Sequence, residues 1–178
     1  MQNHFELFHL PQQFGIDLAA LSRAYHEVQN QVHPDKFASQ PEAEKRVAMQ
    51  WATRANEAYQ VLRNPLKRAA YLCELNGIDL QTESNTAMPR DFLMQQMEWR
   101  ENLDEAKEQI DAADMNQLAT DVAKARDAQL KSIASQFDSG DSADMSAAAQ
   151  GVRQLMFLEK FGDEVAAALD RLADQAAD

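Results

Sequence analysis

Glycine and proline are scarce: each occurs five times in 178 residues, and long stretches contain neither. Cysteine is scarcer still. The single Cys73 excludes an internal disulfide and a cysteine-based zinc site, and its setting in "AAYLCELN" marks it as a small buried apolar residue rather than a nucleophile. No apolar run approaches the length needed to span a bilayer. The N-terminus, "MQNHFELFHLP", has no positive region followed by an apolar block, so it does not read as a signal peptide. These absences lead us to expect a soluble, cytoplasmic chain. The usual chemical signatures are also missing. There is no Gly-rich phosphate loop, no nucleophile elbow and no histidine pair at helical spacing for a metal.

What is present favours helix. Ala, Leu, Glu, Gln, Asp and Met dominate, apolar residues make up 45% of the chain, and no stretch alternates as a strand would. The net charge of -12 is unevenly distributed. Residues 1–76 hold eight Lys/Arg against eight Asp/Glu, whereas residues 77–178 hold nine against twenty-one. All four histidines lie in the first part. Such asymmetry points to two modules with different partners. An acidic second half argues against nucleic acid, whose phosphates need a positive surface. Acidic residues also serve simply to keep a helical bundle soluble.

Helix signals divide the chain as follows. In "NHFELFHLPQQFGID" a short opening segment offers Phe5, Leu7 and Phe8 for packing. Asp17 is placed to cap a helix over residues 18–32, with Leu18, Leu21, Tyr25, Val28 and Val32 on one face. Pro34 pushes His33 out of helical geometry. A loop runs to Gln40, and Pro41 suits the first turn of a helix ending near Asn64. Its apolar stripe is Val47, Trp51, Ala55, Tyr59 and Leu62. Pro65 opens a further helix, closed by Gly77 as C′ residue. Residues 1–76 thus predict an antiparallel helical hairpin, and the polar stretch 77–88 a linker. Residues 89–178 predict a three-helix bundle: about 89–111, opened by Pro89; about 114–137, capped by Asp114, with Met115, Leu118, Val122, Ile133 and Phe137 as core; and about 144–176. "DSGDSAD" breaks the chain before the third helix, Gly162 is a kink or break within it, and its core stripe is Met145, Val152, Leu155 and Met156. The fold class is all-α.

Between the first two long helices stands "HPDKF", residues 33–37. His33 and Asp35 could do acid–base work, but that requires a concave site with a substrate atom in reach, and nothing else in the sequence supplies one. Alternatively Pro34 only stops the helix while Asp35 stabilises the turn. The context supplies a third option. "HPDKF" between two amphipathic helices, followed by "NEAYQVLRNPLKRAAYL" at 56–72, resembles a J-domain. The resemblance implies that His33, Pro34 and Asp35, flanked by Lys36, contact an ATP-driven chaperone of the DnaK class and stimulate its hydrolysis without performing chemistry. Pro34 would lower the entropy lost on docking, and Asp35 would offer an anion to a cationic group. J-domains usually carry a Lys/Arg run on the helix before this turn. Here that helix offers Arg23, with His26 and the amides of "QNQ", so electrostatic steering should be weaker. That fits a specialised ATPase, or a complex held partly by other contacts.

The helix expected at 89–111 carries a second signal. At about 100° per residue, Phe92, Trp99, Leu103, Ala106 and Ile110 make one full core stripe. The opposite face carries Glu98, Glu101, Asp104, Glu105 and Glu108, but also Leu93, Met94 and Met97. Either the J-like module or another helix covers these three, or they form a protein-binding patch with a carboxylate rim, joined by Phe157 from off the centre of the last helix's core stripe. A J-domain followed by an acidic helical bundle opening with "FLMQQMEWRENLDE" is similar to the HscB family of iron–sulfur co-chaperones, as are "RNPLKRAAYLCELNGIDL" and "VRQLMFLEKF". Membership implies an IscU-type iron–sulfur scaffold protein as cargo and an HscA-type chaperone as ATPase, with no cofactor and no catalytic residue of its own. The family's scaffold-binding positions fall on Leu93, Met94, Met97, Glu98, Glu101, Glu105 and Phe157. Met97 stands where the family often has Leu, a volume-conserving change. The alternatives are a general J-protein delivering unfolded clients, which would usually carry Gly/Phe-rich or cysteine-rich segments absent here, and an enzyme using His33 and Asp35.

Overall fold

The computed structural model describes residues 2–37, 39–80 and 88–177. Among them there is no strand, and no helix is long and apolar enough to cross a membrane. The chain divides into two compact units, Met1–Gly77 and Ile78–Asp178. Most of the expected linker, 81–87, lies outside the described residues, as does Ala38 of the loop.

The first unit opens with α1, His4–Leu7, held by a capping box between Asn3 and Glu6. Phe5, Leu7 and Phe8 are buried, as their clustering suggests. Helix α2, Leu18–Gln31, begins on Asp17, whose Oδ1 accepts from the Ala19 amide at 2.8 Å. A 3-10 turn, Pro34–Phe37, leads towards α3, Glu42–Arg63. Asn64 caps α4, Pro65–Leu75, by accepting from the Lys67 amide at 2.9 Å. Gly77, at φ 73°, takes the left-handed position past the helix end. Helices α2 and α3 run antiparallel: Ser22 meets Tyr59, the Tyr25 hydroxyl donates to Asn56 Oδ1 at 2.7 Å, and the Tyr25 and Tyr59 rings stack at 4.2 Å.

The buried stripe of α3 differs from the expected one. It is Ala48, Ala55, Ala58 and Leu62, whereas Val47 is 51% and Trp51 39% exposed. The expected stripe followed side-chain size. Ala55 and Leu62 are common to both stripes, and the small residues Ala48 and Ala58 complete the buried side. Leu18 on α2 is also exposed rather than core, while Leu21 is buried.

The second unit is an up-down-up bundle of α5, Arg90–Gln109, α6, Ala112–Ser139, and α7, Ser142–Ala177. Phe92 meets Phe157 and Trp99 meets Phe161, so α5 and α7 run parallel. Gly151 faces Ile133 and Gly162 faces Val122, so α6 and α7 run antiparallel. A Cβ on Gly151 would lie 2.5 Å from Gln129 Nε2 and 3.0 Å from Ile133 Cγ1, so only glycine permits this approach without displacement. The core joins Trp99, Leu103, Met115, Leu118, Val122, Leu158, Phe161 and Val165.

Four expectations need correction here. Asp111, not Asp114, caps α6, with Oδ1 accepting from the amides of Ala113 and Asp114. Ile110 leaves the core stripe: it takes a left-handed φ of 56° as C-cap of α5, and its side chain is exposed. Gly162 does not end α7, which runs from Ser142 to Ala177, because one interior glycine weakens a helix by only about 1 kcal/mol and this one packs against Val122. Finally, Met145, Met156 and Phe137 are only half-buried, whereas Val152, Leu155 and Ile133 are fully buried.

Two measurements follow from this packing. The His4 ring stacks on Tyr71 at 4.3 Å, and its Nδ1 is buried with no hydrogen-bond partner. Burial, and then the Arg54 charge, lower its pKa from the ordinary 6.5, outweighing Glu74 and Glu57. The unfolded chain therefore takes up this proton first as pH falls, so the contribution of neutral His4 to stability is full above pH 6.5 and declines below it. Denaturant unfolding at a series of pH values should show a decline below 6.5 that is shallower in His4→Phe. In the second unit Phe161 is fully buried, 6.1 Å from Trp99 and 5.6 Å from Phe157 between ring centroids. Phe161→Ala should lower its unfolding free energy by about 3–5 kcal/mol.

Candidate functional sites

The 3-10 turn is built by the proline stop. Val32 closes α2 through its amide to the Val28 carbonyl, and Pro34 begins the turn. The turn holds its own shape locally: the Lys36 amide donates to the His33 carbonyl at 3.0 Å, and the Asp35 amide donates to His33 Nδ1 at 3.3 Å. The Asp35 carboxylate stands 3.6 Å from the same Nδ1. With Nδ1 so engaged, Nε2 is the nitrogen His33 presents outward. Both side chains are well exposed, Asp35 at 90%. This arrangement suits recognition. It does not suit proton transfer, which requires desolvation and a held substrate.

Of the residues associated with this surface, His33, Pro34, Asp35 and Lys36 share the one turn. Arg23 does not join them: it lies about two turns, roughly 12 Å, before the end of α2. It also already faces an anion, Asp17, at 3.8 Å on the surface.

On α5, Leu93, Met94 and Met97 are 42%, 59% and 63% exposed. At about 100° per residue they share a broad face with Glu98, Glu101, Asp104, Glu105 and Glu108, all exposed. The patch is therefore apolar at the N-terminal end of the helix and acidic towards its C-terminal end. Glu98 and Glu105 also line a groove of about 590 Å³ between α5 and α6, with Asp114, Gln117 and Asp121 across it. Gln117 Nε2 donates to both Asp121 oxygens at 3.1 Å and, with Lys124, holds that carboxyl below the usual carboxylate range.

Phe157 occupies a different position. It is half-buried, edge-on to Phe92 at 5.7 Å and stacked on Phe161 at 5.6 Å, with the Arg100 guanidinium 5.6 Å above its ring. It belongs to the aromatic column that seats α5 on α7. Sequence reasoning missed a further surface beside the first turn, where Val47 and Trp51 face solvent. The signal was available in the alanines at 48, 55 and 58, which mark the close-packed side of α3.

An all-α chain with an exposed His-Pro-Asp turn between two antiparallel helices, continued by an acidic three-helix bundle, is a J-domain co-chaperone. The comparisons agree. The DnaJ-domain family model matches residues 3–71, and the model for the HSCB C-terminal oligomerisation domain matches residues 88–166. The chain is 52% identical over 170 residues to the co-chaperone protein HscB homolog of Burkholderia thailandensis, covering 96% of this chain and 95% of that one. It is 53% identical to the homolog of Burkholderia multivorans over the same shares. Chaperone HscB from Vibrio cholerae superposes with a TM-score of 0.80 at 36% identity, covering 96% of this chain and 99% of that one. Human co-chaperone protein HscB superposes with a TM-score of 0.85 at 27% identity, over 93% and 81%. The chain belongs to the HscB co-chaperone family.

Proposed function

We propose that this protein carries an IscU-type iron–sulfur scaffold protein on its acidic bundle and stimulates an HscA-type chaperone ATPase through the turn at 33–36, in the cytoplasm, assisting cluster assembly and transfer. The working division is a J-domain over 1–76, a linker over 77–88 and a scaffold-binding bundle over 89–178. The observation that carries this reading is the exposure of Leu93, Met94 and Met97 on a helix face that would otherwise be wholly polar. Covering each such side chain releases roughly 1.5–3 kcal/mol, and Met adapts to a shaped partner. Glu98, Glu101 and Glu105 form the rim. They select a cationic surface on the scaffold and speed its approach. Phe157 supports the patch from behind.

At the other surface the work is done by differential contact. An exposed Asp35 accepts a charge-assisted hydrogen bond from a cation on the ATPase, and His33 Nε2 adds a second contact. If these contacts are better in the hydrolysis-competent conformation, docking shifts the ATPase towards it. The protein supplies no reacting atom.

Two outcomes test the two halves separately. His33→Gln should abolish stimulation of ATP turnover while leaving scaffold affinity, measured by calorimetry, unchanged. Loss of both would show that the two surfaces are not independent. Leu93→Ala combined with Met97→Ala should weaken scaffold binding by about 2–4 kcal/mol, as for central interface anchors, with circular dichroism unchanged because both side chains are exposed. Unaltered affinity would remove the patch from the interface.

A further inference from the structure

The turn that carries His33 and Asp35 also forms one wall of an apolar groove. Phe37, the last residue of the turn, lines a depression of about 290 Å³ together with Val32, Ala43, Val47, Ala48 and Trp51, with Glu44 as its one charged lining residue. Val47 and Trp51 contribute exposed apolar surface in the middle of a long helix. Arg54 lies over the Trp51 ring at 5.5 Å, which fixes the indole at the edge of the groove. Asp35 is only two residues from Phe37, so at most roughly 7 Å of chain separates the charged contact from the groove. A partner that engages Asp35 has this depression within reach of one neighbouring side chain.

Electrostatics gives the second argument. A docking surface needs affinity as well as orientation. On α2 the single Arg23 is distant from the turn and already faces Asp17. Long-range attraction through that helix is accordingly weak, so short-range apolar burial beside the turn adds affinity that α2 does not supply. Trp is the residue type most often found to anchor such contacts.

We propose that the groove formed by Val32, Phe37, Val47 and Trp51 receives a bulky aliphatic side chain of the chaperone ATPase, from the stretch of its surface that also receives His33 and Asp35. The inference rests on the reading of that turn as the ATPase contact. The groove supplies affinity and the turn supplies the trigger, so the two separate kinetically.

The test is a titration of steady-state ATP turnover by the purified chaperone against the full-length protein and its variants. Val47→Asp and Trp51→Ala, both at exposed positions, should each raise the half-maximal concentration about tenfold, a change of about 1.4 kcal/mol. Maximal stimulation should be unchanged. His33→Gln should instead lower the maximum. Val47→Leu, which keeps the groove apolar, should match the parent protein. Unchanged half-maximal concentrations for both groove variants, with stimulation still lost in His33→Gln, would overturn the groove and leave the turn as the contact. Full stimulation by His33→Gln would overturn both.

Discussion

A helix can bury only one stripe of its surface against its neighbours, and the rest must face water or a partner. In the first unit that constraint acts through alanine. The buried seam of α3 is Ala48, Ala55, Ala58 and Leu62; Val47 lies at its margin at about 100° per residue, and Val47 and Trp51 keep much of their apolar surface exposed. In the second unit the buried stripe of α5 is Trp99, Leu103 and Ala106, and Leu93, Met94 and Met97 stay exposed outside it. Each unit thus presents an apolar surface because its core is already complete.

Charge distinguishes the two surfaces. The first unit is balanced, and its exposed ion pairs include Arg23 with Asp17 and Lys45 with Glu42 at 2.9 Å. Such exposed pairs contribute little to stability, but they neutralise cations that would otherwise steer an anionic partner. The second unit holds the whole excess of negative charge. Its carboxylates lie beside the apolar patch and along the α5–α6 groove. That field favours cationic over acidic surfaces, and it reaches only about 8–10 Å at ordinary ionic strength. One unit is balanced and the other strongly acidic, so the two present different fields to an approaching protein.

Much of this was legible in sequence because helix ends carry strong local chemistry. Asp17, Pro34, Pro65, Gly77 and Pro89 each act within one turn, and each marks a boundary within a residue or two of where it falls. The miss at Gly162 has another cause, a contact distant in sequence, whereas the choice between Asp111 and Asp114 was decided locally. Gly162 reads as a break, yet Val122 packs against it and α7 continues. Asp111 and Asp114 are equally good caps on paper. Asp111 prevails because the left-handed turn at Ile110 ends α5 just before it. The phase of the α3 stripe depended on how closely other helices approach, which side-chain hydropathy does not encode. At the turn, composition gave the residues but not the geometry in which the Asp35 amide occupies His33 Nδ1 and leaves Nε2 to a partner.

Phe157 packs behind the exposed apolar patch of α5. Its ring lies between Phe92 on α5 and Phe161 on α7, beneath Arg100, which also reaches Glu164 at 3.7 Å. Aromatic pairs of this kind add about 0.5–1.5 kcal/mol each beyond the area they bury, and here they fix the rotation of the first turns of α5. That rotation decides whether Leu93, Met94 and Met97 stand outward together or turn partly into the bundle. A cargo gripping those three side chains therefore also draws on the aromatic column behind them, and the stability of the bundle and the affinity of its surface become linked quantities. The same logic explains why a patch so apolar can persist on an acidic, monomer-sized helical unit: the packing of the core, rather than attraction within the patch, holds it in place.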